Sequence, residues 1–441
     1  MLKKAKWLLG LTVLVLLVII IAEYIMLLSP LQQTQRLSSI RLQEATAELT
    51  PTPFEALLLE EIIATPLPPA DELPTPIPTD AMPAIDKGIP PFIPNISKEQ
   101  ERVFWIYYWK ENEVWRVDSQ GHKREMLLDT EKSLGQWLTE NPFPDSDCCW
   151  SGPRVVISPD GNKLALVVVD VTNISDPGEK FYYSIYIFDI QNKTLEMISQ
   201  GVQPVWSPDS KKIAFLNEGN LYISDTAREI KRVANPQTTD ITISEYAWST
   251  DGQRLAYTLN QGYQGIPEIW MVDQNAKNEP IKLLDVSPEH PPYGLQWVND
   301  EEIIFLSSEG SKDRYPQNKF QNLFSFSIHT KQLKPVTHDM VVQTYRISPK
   351  QDWIAIGGYF PHSQAEDAYK ADIWLESIDY SELTRATDEA DAINIADWVP
   401  DGVRLLVWQQ DGKPGLFSLV DGSLYKLDFD ITQNYAVGGL K

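Results

Sequence analysis

A turn motif that recurs about every 50 residues is the strongest constraint on how this chain folds. Each copy contains a hydrophobic residue or Trp, a small residue and a turn, and successive copies lie 49, 42, 49, 50 and 51 residues apart. Proline presets φ and glycine accepts φ > 0, so the Pro-Asp-Gly core of the motif favours a tight turn. A regular period of this length is typical of repeat architectures. The copies are residues 156–161, 205–210, 247–252, 296–300, 346–350 and 397–402.

A second motif marks another strand in each unit. It is an apolar residue followed by an aromatic residue, and it comes after a β-type run such as residues 163–168. With a closing strand, each unit has four short strands and no helical periodicity, which predicts an all-β fold made of β-propeller blades. The copies are Val114-Trp115, Ile185-Tyr186, Leu221-Tyr222, Ile269-Trp270, Leu323-Phe324, Ile373-Trp374 and Leu416-Phe417.

The number of blades follows from a mismatch between the two motifs. The second motif occurs seven times and the turn motif six times, because the first unit, residues 103–128, lacks an opening strand. The chain continues past the last unit into residues 430–437, which could supply that innermost strand and join the two ends of the ring. We therefore predict seven blades. Six blades remain the alternative, with residues 103–128 packed as an accessory piece.

The repeat resembles that of the TolB-like β-propeller family, a WD-like class of bacterial envelope proteins. The resemblance rests on turns such as Trp206-Ser207-Pro208-Asp209 followed by Lys212-Ile213-Ala214, and it covers roughly residues 150–430. It implies protein–protein interaction, and the same repeat also forms the non-catalytic domain of some serine peptidases. An apolar segment and a proline-rich stretch stand where TolB itself has an N-terminal domain, so the resemblance does not carry over the partners of TolB.

The N-terminal part of the chain predicts a membrane anchor and a stalk. Lys3, Lys4 and Lys6 precede the apolar run 7–28, which is long enough to cross a bilayer. The lysines favour a cytoplasmic N-terminus and an extracytoplasmic remainder. Residues 1–28 are therefore the predicted anchor of a single-pass membrane protein. A signal peptide cleaved near Ala22, which would release a secreted protein, is the alternative.

Residues 29–98 form the predicted stalk, and residues 99–441 form the predicted propeller. The stalk contains 13 of the 32 prolines in the chain. Proline at this density fixes φ and removes hydrogen-bond donors, so we expect an extended spacer without a core.

Several classes of function are disfavoured by composition and motifs. The net charge of −23 argues against nucleic-acid binding, which needs clustered Lys and Arg. The chain has no Gly-x-Ser-x-Gly elbow for a serine hydrolase, and its five histidines form no metal-binding pair. We therefore predict no catalytic residue, no metal and no cofactor. The adjacent Cys148 and Cys149 could form a vicinal disulfide that stiffens the loop 130–153, link two chains, or stay reduced.

Long loops predict which face of the propeller binds a partner. The loops 170–180, 260–267, 307–321 and 357–370 join second to third strands, and in a propeller they share a face with the connections between blades. Insertions concentrated on one face are typical of a binding face. Aromatic and charged side chains in these loops suit protein recognition. The candidate partner-binding residues are Trp150, Tyr182, Tyr263, Arg314, Tyr315, Phe360, His362 and Tyr369.

The sequence therefore predicts a membrane-anchored, non-catalytic scaffold that binds a protein through its long-loop face. The net charge of the propeller is about −20, which would steer basic partners toward it. The alternative is a head that binds or processes a glycan or a peptide in the central channel. The regular positions of Trp206, Trp248, Trp297 and Trp398 indicate core filling between blades rather than a carbohydrate platform.

Overall fold

The structure is a computed structural model, and the residues that it describes belong to the compact unit 67–441. The described residues are 91–110, 112–134, 155–170, 182–225, 229–236, 241–260, 266–286, 292–307, 321–338, 340–359, 372–387, 394–409, 412–427 and 435–440.

The described residues form 28 strands with one short helix and one 3-10 turn. The 3-10 turn is Lys98–Gln100 and the helix, α1, is Thr130–Leu134. The strands of the first half are β1 (Phe104–Lys110), β2 (Glu113–Asp118), β3 (Arg124–Asp129), β4 (Val155–Ile157), β5 (Lys163–Asp170), β6 (Tyr182–Asp189), β7 (Thr194–Gln200), β8 (Val202–Trp206), β9 (Lys212–Asn217), β10 (Asn220–Asp225), β11 (Ile230–Ala234), β12 (Thr242–Trp248), β13 (Arg254–Asn260), β14 (Glu268–Asp273) and β15 (Ile281–Asp285). Those of the second half are β16 (Tyr293–Asn299), β17 (Glu302–Ser307), β18 (Asn322–Ser327), β19 (Leu333–Pro335), β20 (Val341–Ile347), β21 (Trp353–Tyr359), β22 (Asp372–Ser377), β23 (Leu383–Arg385), β24 (Asn394–Trp398), β25 (Arg404–Trp408), β26 (Pro414–Ser418), β27 (Leu424–Lys426) and β28 (Tyr435–Leu440).

These strands make seven four-stranded antiparallel sheets, which are the blades of a propeller. Blades 2 to 7 each use four consecutive strands, from β4–β7 to β24–β27. Blade 1 has the order β28-β1-β2-β3, so the last strand of the chain supplies the innermost strand of the first blade. Val437 pairs with Ile106 in this closing ladder. The predicted seven blades and their closure by the C-terminal tail are therefore confirmed, and the six-bladed alternative is wrong.

Tryptophan side chains join neighbouring blades near the innermost strands. Trp206, Trp248, Trp297 and Trp398 are buried, as predicted for core residues. Each indole N–H also donates to a backbone carbonyl of the preceding blade. The acceptors are Val156 O at 3.2 Å, Val205 O at 3.1 Å, Ala247 O at 3.0 Å and Arg346 O at 2.8 Å. The repeated Trp therefore combines apolar filling with a directed hydrogen bond between blades.

The repeated Ser and Asp hold the tight turns together. Ser158 Oγ donates to Asp160 Oδ1 at 2.6 Å and accepts from the backbone N–H of Lys163 at 2.9 Å. Ser207 and Ser249 make the same pair of contacts in blades 3 and 4. These turns join first to second strands, and they share one end of the blades with the turns that join third to fourth strands. We call this end the tight-turn face and the opposite end the long-loop face.

The segment that precedes β1 packs against blades 6 and 7 on the tight-turn face. Phe92 and Ile93 are buried in a core cluster with residues of both blades, and the backbone N–H of Phe92 donates to Leu419 O at 3.0 Å. Lys98 Nζ lies 2.6 Å from Asp421 Oδ2. Packing therefore begins before residue 99, within the part that the composition assigns to the stalk. This happens because Phe92 and Ile93 are apolar enough to be buried despite the flanking prolines.

The predicted anchor 1–28 and residues 29–90 of the stalk lie outside the described residues. Within the described ranges, no helix has the length and apolar character needed to cross a membrane.

Candidate functional site at the propeller axis

The residues that the loops predict as a partner-binding surface lie outside the described part of the structure. Tyr182 is the first residue of β6, but its side chain is outside that part as well. The predicted surface and the state of the two cysteines therefore remain predictions. The predicted residues that lie outside the described part are Cys148, Cys149, Trp150, Tyr263, Arg314, Tyr315, Phe360, His362 and Tyr369.

A ring of seven equivalent residues lies on the innermost strands. Most neighbouring innermost strands contact one another, as strands that surround a propeller axis do. The strand registers place one residue per blade at the same level, and each of these side chains is half-buried. We call this set the axial ring. From blade 1 to blade 7 its members are Ala436, Val156, Val205, Ala247, Gln296, Arg346 and Asp397.

The axial ring is divided into an apolar and a polar part. Blades 1 to 4 contribute only Ala and Val, whereas the next three blades contribute Gln296, Arg346 and Asp397. We call these three residues the polar arc. A few polar side chains grouped beside apolar ones are the pattern typical of a ligand-binding surface.

Arg346 and Asp397 place opposite charges side by side in the polar arc. Arg346 Nη1 donates to Tyr345 O at 2.8 Å and to Thr344 Oγ1 at 3.3 Å. Asp397 Oδ1 accepts the backbone N–H of Trp398 at 2.8 Å. Burial raises the pKa of the Asp397 carboxyl, and the Arg346 guanidinium opposes that rise. A partly desolvated carboxyl with a specific charged neighbour is a candidate functional group.

The closing strand β28 contributes a tyrosine to the same region. Burial raises the pKa of the Tyr435 hydroxyl, and the negative charge of Asp397 adds to this effect. The Tyr435 ring packs edge-on against Trp408, with 5.9 Å between centroids. The site is thus built from blades 5, 6, 7 and 1, and it is complete only when the ring is closed.

Glu245 is the other acidic residue on the innermost strands near the axial ring, and its contacts are structural. Its Oε2 accepts the backbone N–H of Leu295 in the next blade at 3.2 Å. Burial raises the pKa of the Glu245 carboxyl, while the N–H groups of Leu295 and Gly294 lower it. The ladder of β12 with β13 is irregular between Ile243 and Tyr246, and this β-bulge turns Glu245 toward blade 5.

The polar arc offers hydrogen-bonding groups to a ligand. Within the described ranges, no group of three or more His, Cys, Asp or Glu side chains is placed to hold a metal ion. The polar arc offers a donor in Arg346, an acceptor in Asp397 and both in Gln296.

Sequence reasoning missed the polar arc although a signal was present. The residue before the Trp or Ile of each turn motif is Val, Val, Ala, Gln, Arg and Asp in chain order. This position changes character while the rest of the motif repeats.

Comparison with known families gives one partial match. Residues 158–283 match the family described as dipeptidyl peptidase IV (DPP IV) N-terminal region. The matched stretch runs from the first turn of blade 2 into β15 of blade 4. Comparison with curated proteins gave no match.

Several solved structures are similar to this chain. A TolB protein from Agrobacterium tumefaciens has 19% identity and a TM-score of 0.38, over 55% of this chain and 87% of that one. Dipeptidyl peptidase 4 from Porphyromonas gingivalis has 12% identity and a TM-score of 0.48, over 75% of this chain and 54% of that one. An oligogalacturonate lyase in complex with manganese has 12% identity and a TM-score of 0.49, over 76% and 88%.

At identities below 20% and TM-scores below 0.5, none of those activities transfers to the present chain. The seven closed blades make the described part of this chain a seven-bladed β-propeller, and its residues 158–283 are similar to the dipeptidyl peptidase IV N-terminal region.

Proposed function

We propose that the propeller binds a polypeptide segment and that the polar arc at its axis contacts that segment. The observation that carries the proposal is the division of the axial ring, with Gln296, Arg346 and Asp397 on one side and small apolar residues on the other. The match to the N-terminal region of a dipeptidyl peptidase supports a peptide as the class of ligand.

The chemistry of the arc fits a peptide backbone. An extended segment presents N–H and C=O groups in alternation, and each needs a partner when it leaves water. Asp397 can accept from an N–H, Arg346 can donate to a C=O, and Gln296 can do both. The Ala and Val residues opposite would contact an apolar side chain of the segment.

We propose further that the partner protein contacts the long-loop face. The segment 92–98 covers the tight-turn face at blades 6 and 7, which carry part of the polar arc, and this supports an approach to the arc from the other side. Tyr315 and Phe360 are the residues that we expect to contribute most to this contact. In this proposal the chain is a membrane-anchored, extracytoplasmic binding protein whose acidic propeller favours a basic partner.

The first prediction concerns Arg346. Peptides selected from a random library against the full-length chain should bind the Arg346→Ala variant about 10-fold to 100-fold more weakly, since a hydrogen bond to a charged group contributes roughly 1.5–3 kcal/mol. Calorimetry with purified protein measures this change. Lys334→Ala is the matched control, because it removes one positive charge from an exposed position on the outermost strand β19. Equal affinities of the Arg346→Ala variant and the parent chain would refute a role of the polar arc.

Two further readouts separate this proposal from its alternatives. Cleavage of the bound peptides that is lost in Arg346→Ala would identify peptide processing rather than binding alone. Binding of oligosaccharides, with no peptide selected, would favour a glycan ligand in the channel. Peptide affinity that falls in Tyr315→Ala plus Phe360→Ala, but not in Arg346→Ala, would favour the long-loop face alone.

A further inference from the structure

Each third strand has one residue whose side chain points toward the preceding blade, close to the tight-turn face. We identify this residue in every blade by its pairing partner on the second strand; in blade 3, for example, Ser224 pairs with Ile213. Five of the seven residues are apolar, and the exceptions are Ser224 and Glu376. From blade 1 to blade 7 the residues are Val117, Phe188, Ser224, Val272, Phe326, Glu376 and Phe417.

The small Ser224 leaves a groove between blades 2 and 3. Ser224 is fully buried, so the groove ends on it rather than on a bulky side chain. Apolar side chains of Ile187, Ile198, Trp206 and Ile213 form its walls. We call this the blade 2–3 groove. Its rim is polar and carries Lys163, Asp189, Thr194, Glu196, Lys211 and Asp225.

The equivalent space between blades 6 and 7 is filled by the chain itself. Phe92 stacks on Phe417 with 6.2 Å between ring centroids and an interplanar angle of 27°. Ile93 is buried in the same core cluster. Phe417 is the blade 7 equivalent of Ser224. The space between blades 6 and 7 therefore holds the ring of Phe92 although it already contains a large side chain at this position.

The walls of the two spaces correspond residue by residue. The strand registers equate Ile187 with Leu375, and Ile213 with Leu405. Trp206 is likewise equivalent to Trp398. Leu375, Leu405 and Trp398 belong to the same core cluster as Phe92. The blade 2–3 groove is therefore the equivalent site, with apolar wall residues at matching positions and a smaller residue at its end.

We propose that the blade 2–3 groove binds an extended segment of a partner protein that carries an aromatic and an aliphatic residue in succession, as Phe92-Ile93 does. The occupied groove between blades 6 and 7 is the basis of this assignment. A segment in this position adds apolar contacts at the end of the groove, where Ser224 leaves room, and its polar backbone faces the charged rim. The site lies on the tight-turn face, away from the long loops, and it is independent of ligand binding at the axis.

A synthetic peptide with the sequence of residues 91–98 tests this proposal. Fluorescence anisotropy should show saturable 1:1 binding to the full-length chain. Ser224→Phe should weaken the binding at least 10-fold, because the new ring fills the groove. Ser224→Ala should leave it unchanged. Absence of binding to the parent chain, or binding that Ser224→Phe does not change, would overturn the proposal.

A second measurement does not depend on the stability of the Ser224→Phe variant. One variant carries a photo-crosslinking amino acid at Thr194, on the rim of the blade 2–3 groove. A second variant carries it at Glu382, which is exposed and is the equivalent position beside the space between blades 6 and 7. The proposal predicts crosslinks to the peptide from Thr194. Crosslinks from Glu382 alone would place the peptide between blades 6 and 7 and would overturn it. Self-association that protects position 194 without peptide would assign the groove to a second copy and would also overturn it.

Discussion

Glu376 is a charged residue at a position that is apolar in five of the seven blades. It is 3% exposed, and its Oε1 has no hydrogen-bond partner among the described residues. Burial raises the pKa of the Glu376 carboxyl to about 7, and the nearby Asp379 and Glu382 carboxylates add to the rise. The hydroxyl of Tyr380 also lies close, and it donates to Glu302 Oε1 at 3.0 Å. The interface of blades 5 and 6 is therefore more stable with a protonated Glu376.

The pH dependence of stability follows from this raised pKa. A carboxyl whose pKa is higher in the folded state binds its proton more tightly there, so the free energy of unfolding should fall as pH rises from about 4.5 through about 7. Glu376→Gln should reduce this slope and raise the free energy of unfolding at pH 8 by up to about 3 kcal/mol. Urea unfolding at several pH values measures both effects. Glu301→Gln at an exposed turn is the control, and an unchanged slope in Glu376→Gln would contradict the assignment.

Single residues also show how far the sequence predicted the structure. The tryptophans of the turn motif were predicted as core residues because they repeat with the unit, and they are core residues. Ser224, Glu376 and the polar arc do not repeat. Their roles depend on their neighbours in the adjacent blades, and these neighbours are known only from the assembled propeller.

At the level of elements, β28 shows what strand patterns predict and what they leave open. The sequence predicts an additional strand for the first unit, because Val114-Trp115 is the one copy of the second motif that has no turn motif before it. The predicted segment was 430–437, whereas the strand is Tyr435–Leu440. The register is set by the ladder with β1, in which Trp105 faces Gly438. The Gly438 position also lies against Ile157, where a Cβ would come within 2.8 Å of the Ile157 side chain.

Removal of β28 should open the ring. A chain that ends at residue 434 leaves one edge of β1 unpaired and exposes the apolar cluster shared by blades 7 and 1. We expect Tm to fall by roughly 10 °C or more, or the protein to aggregate. Differential scanning calorimetry and size-exclusion chromatography measure these outcomes. A chain that lacks only Lys441 is the control, and equal Tm values for the two would show that β28 does not hold the ring closed.

At the level of the whole molecule, the chain begins and ends its path through the propeller in neighbouring blades. The segment 92–98 packs on blades 6 and 7, the next strand enters blade 1, and the last strand returns to blade 1. The repeat period predicted the ring. It did not predict that the segment before the ring is part of the packed structure, since that segment carries no repeat motif.

Phe92→Ala tests whether this segment is fixed by packing. Truncation of a buried Phe costs roughly 3–5 kcal/mol when its surroundings cannot collapse, so we expect a lower Tm and faster proteolysis within residues 91–103. Limited proteolysis with mass spectrometry locates the cleavage. Ser97→Ala is the control, because Ser97 makes no side-chain hydrogen bond to the 3-10 turn that follows it. Equal rates of proteolysis for the parent chain and Phe92→Ala would show that the aromatic side chain of Phe92 does not hold the segment in place.

The packing of residues 92–98 has a mechanical consequence. A pulling force along the N-terminal side of the chain acts first on Phe92, Ile93 and the contact of Lys98 with Asp421. Only after these contacts break does the force reach β1 and its ladder with β28, which closes the ring. We therefore expect this segment to detach under load before the blades unfold. We also expect it to bind again when the load is removed, because its contacts belong to blades 6 and 7.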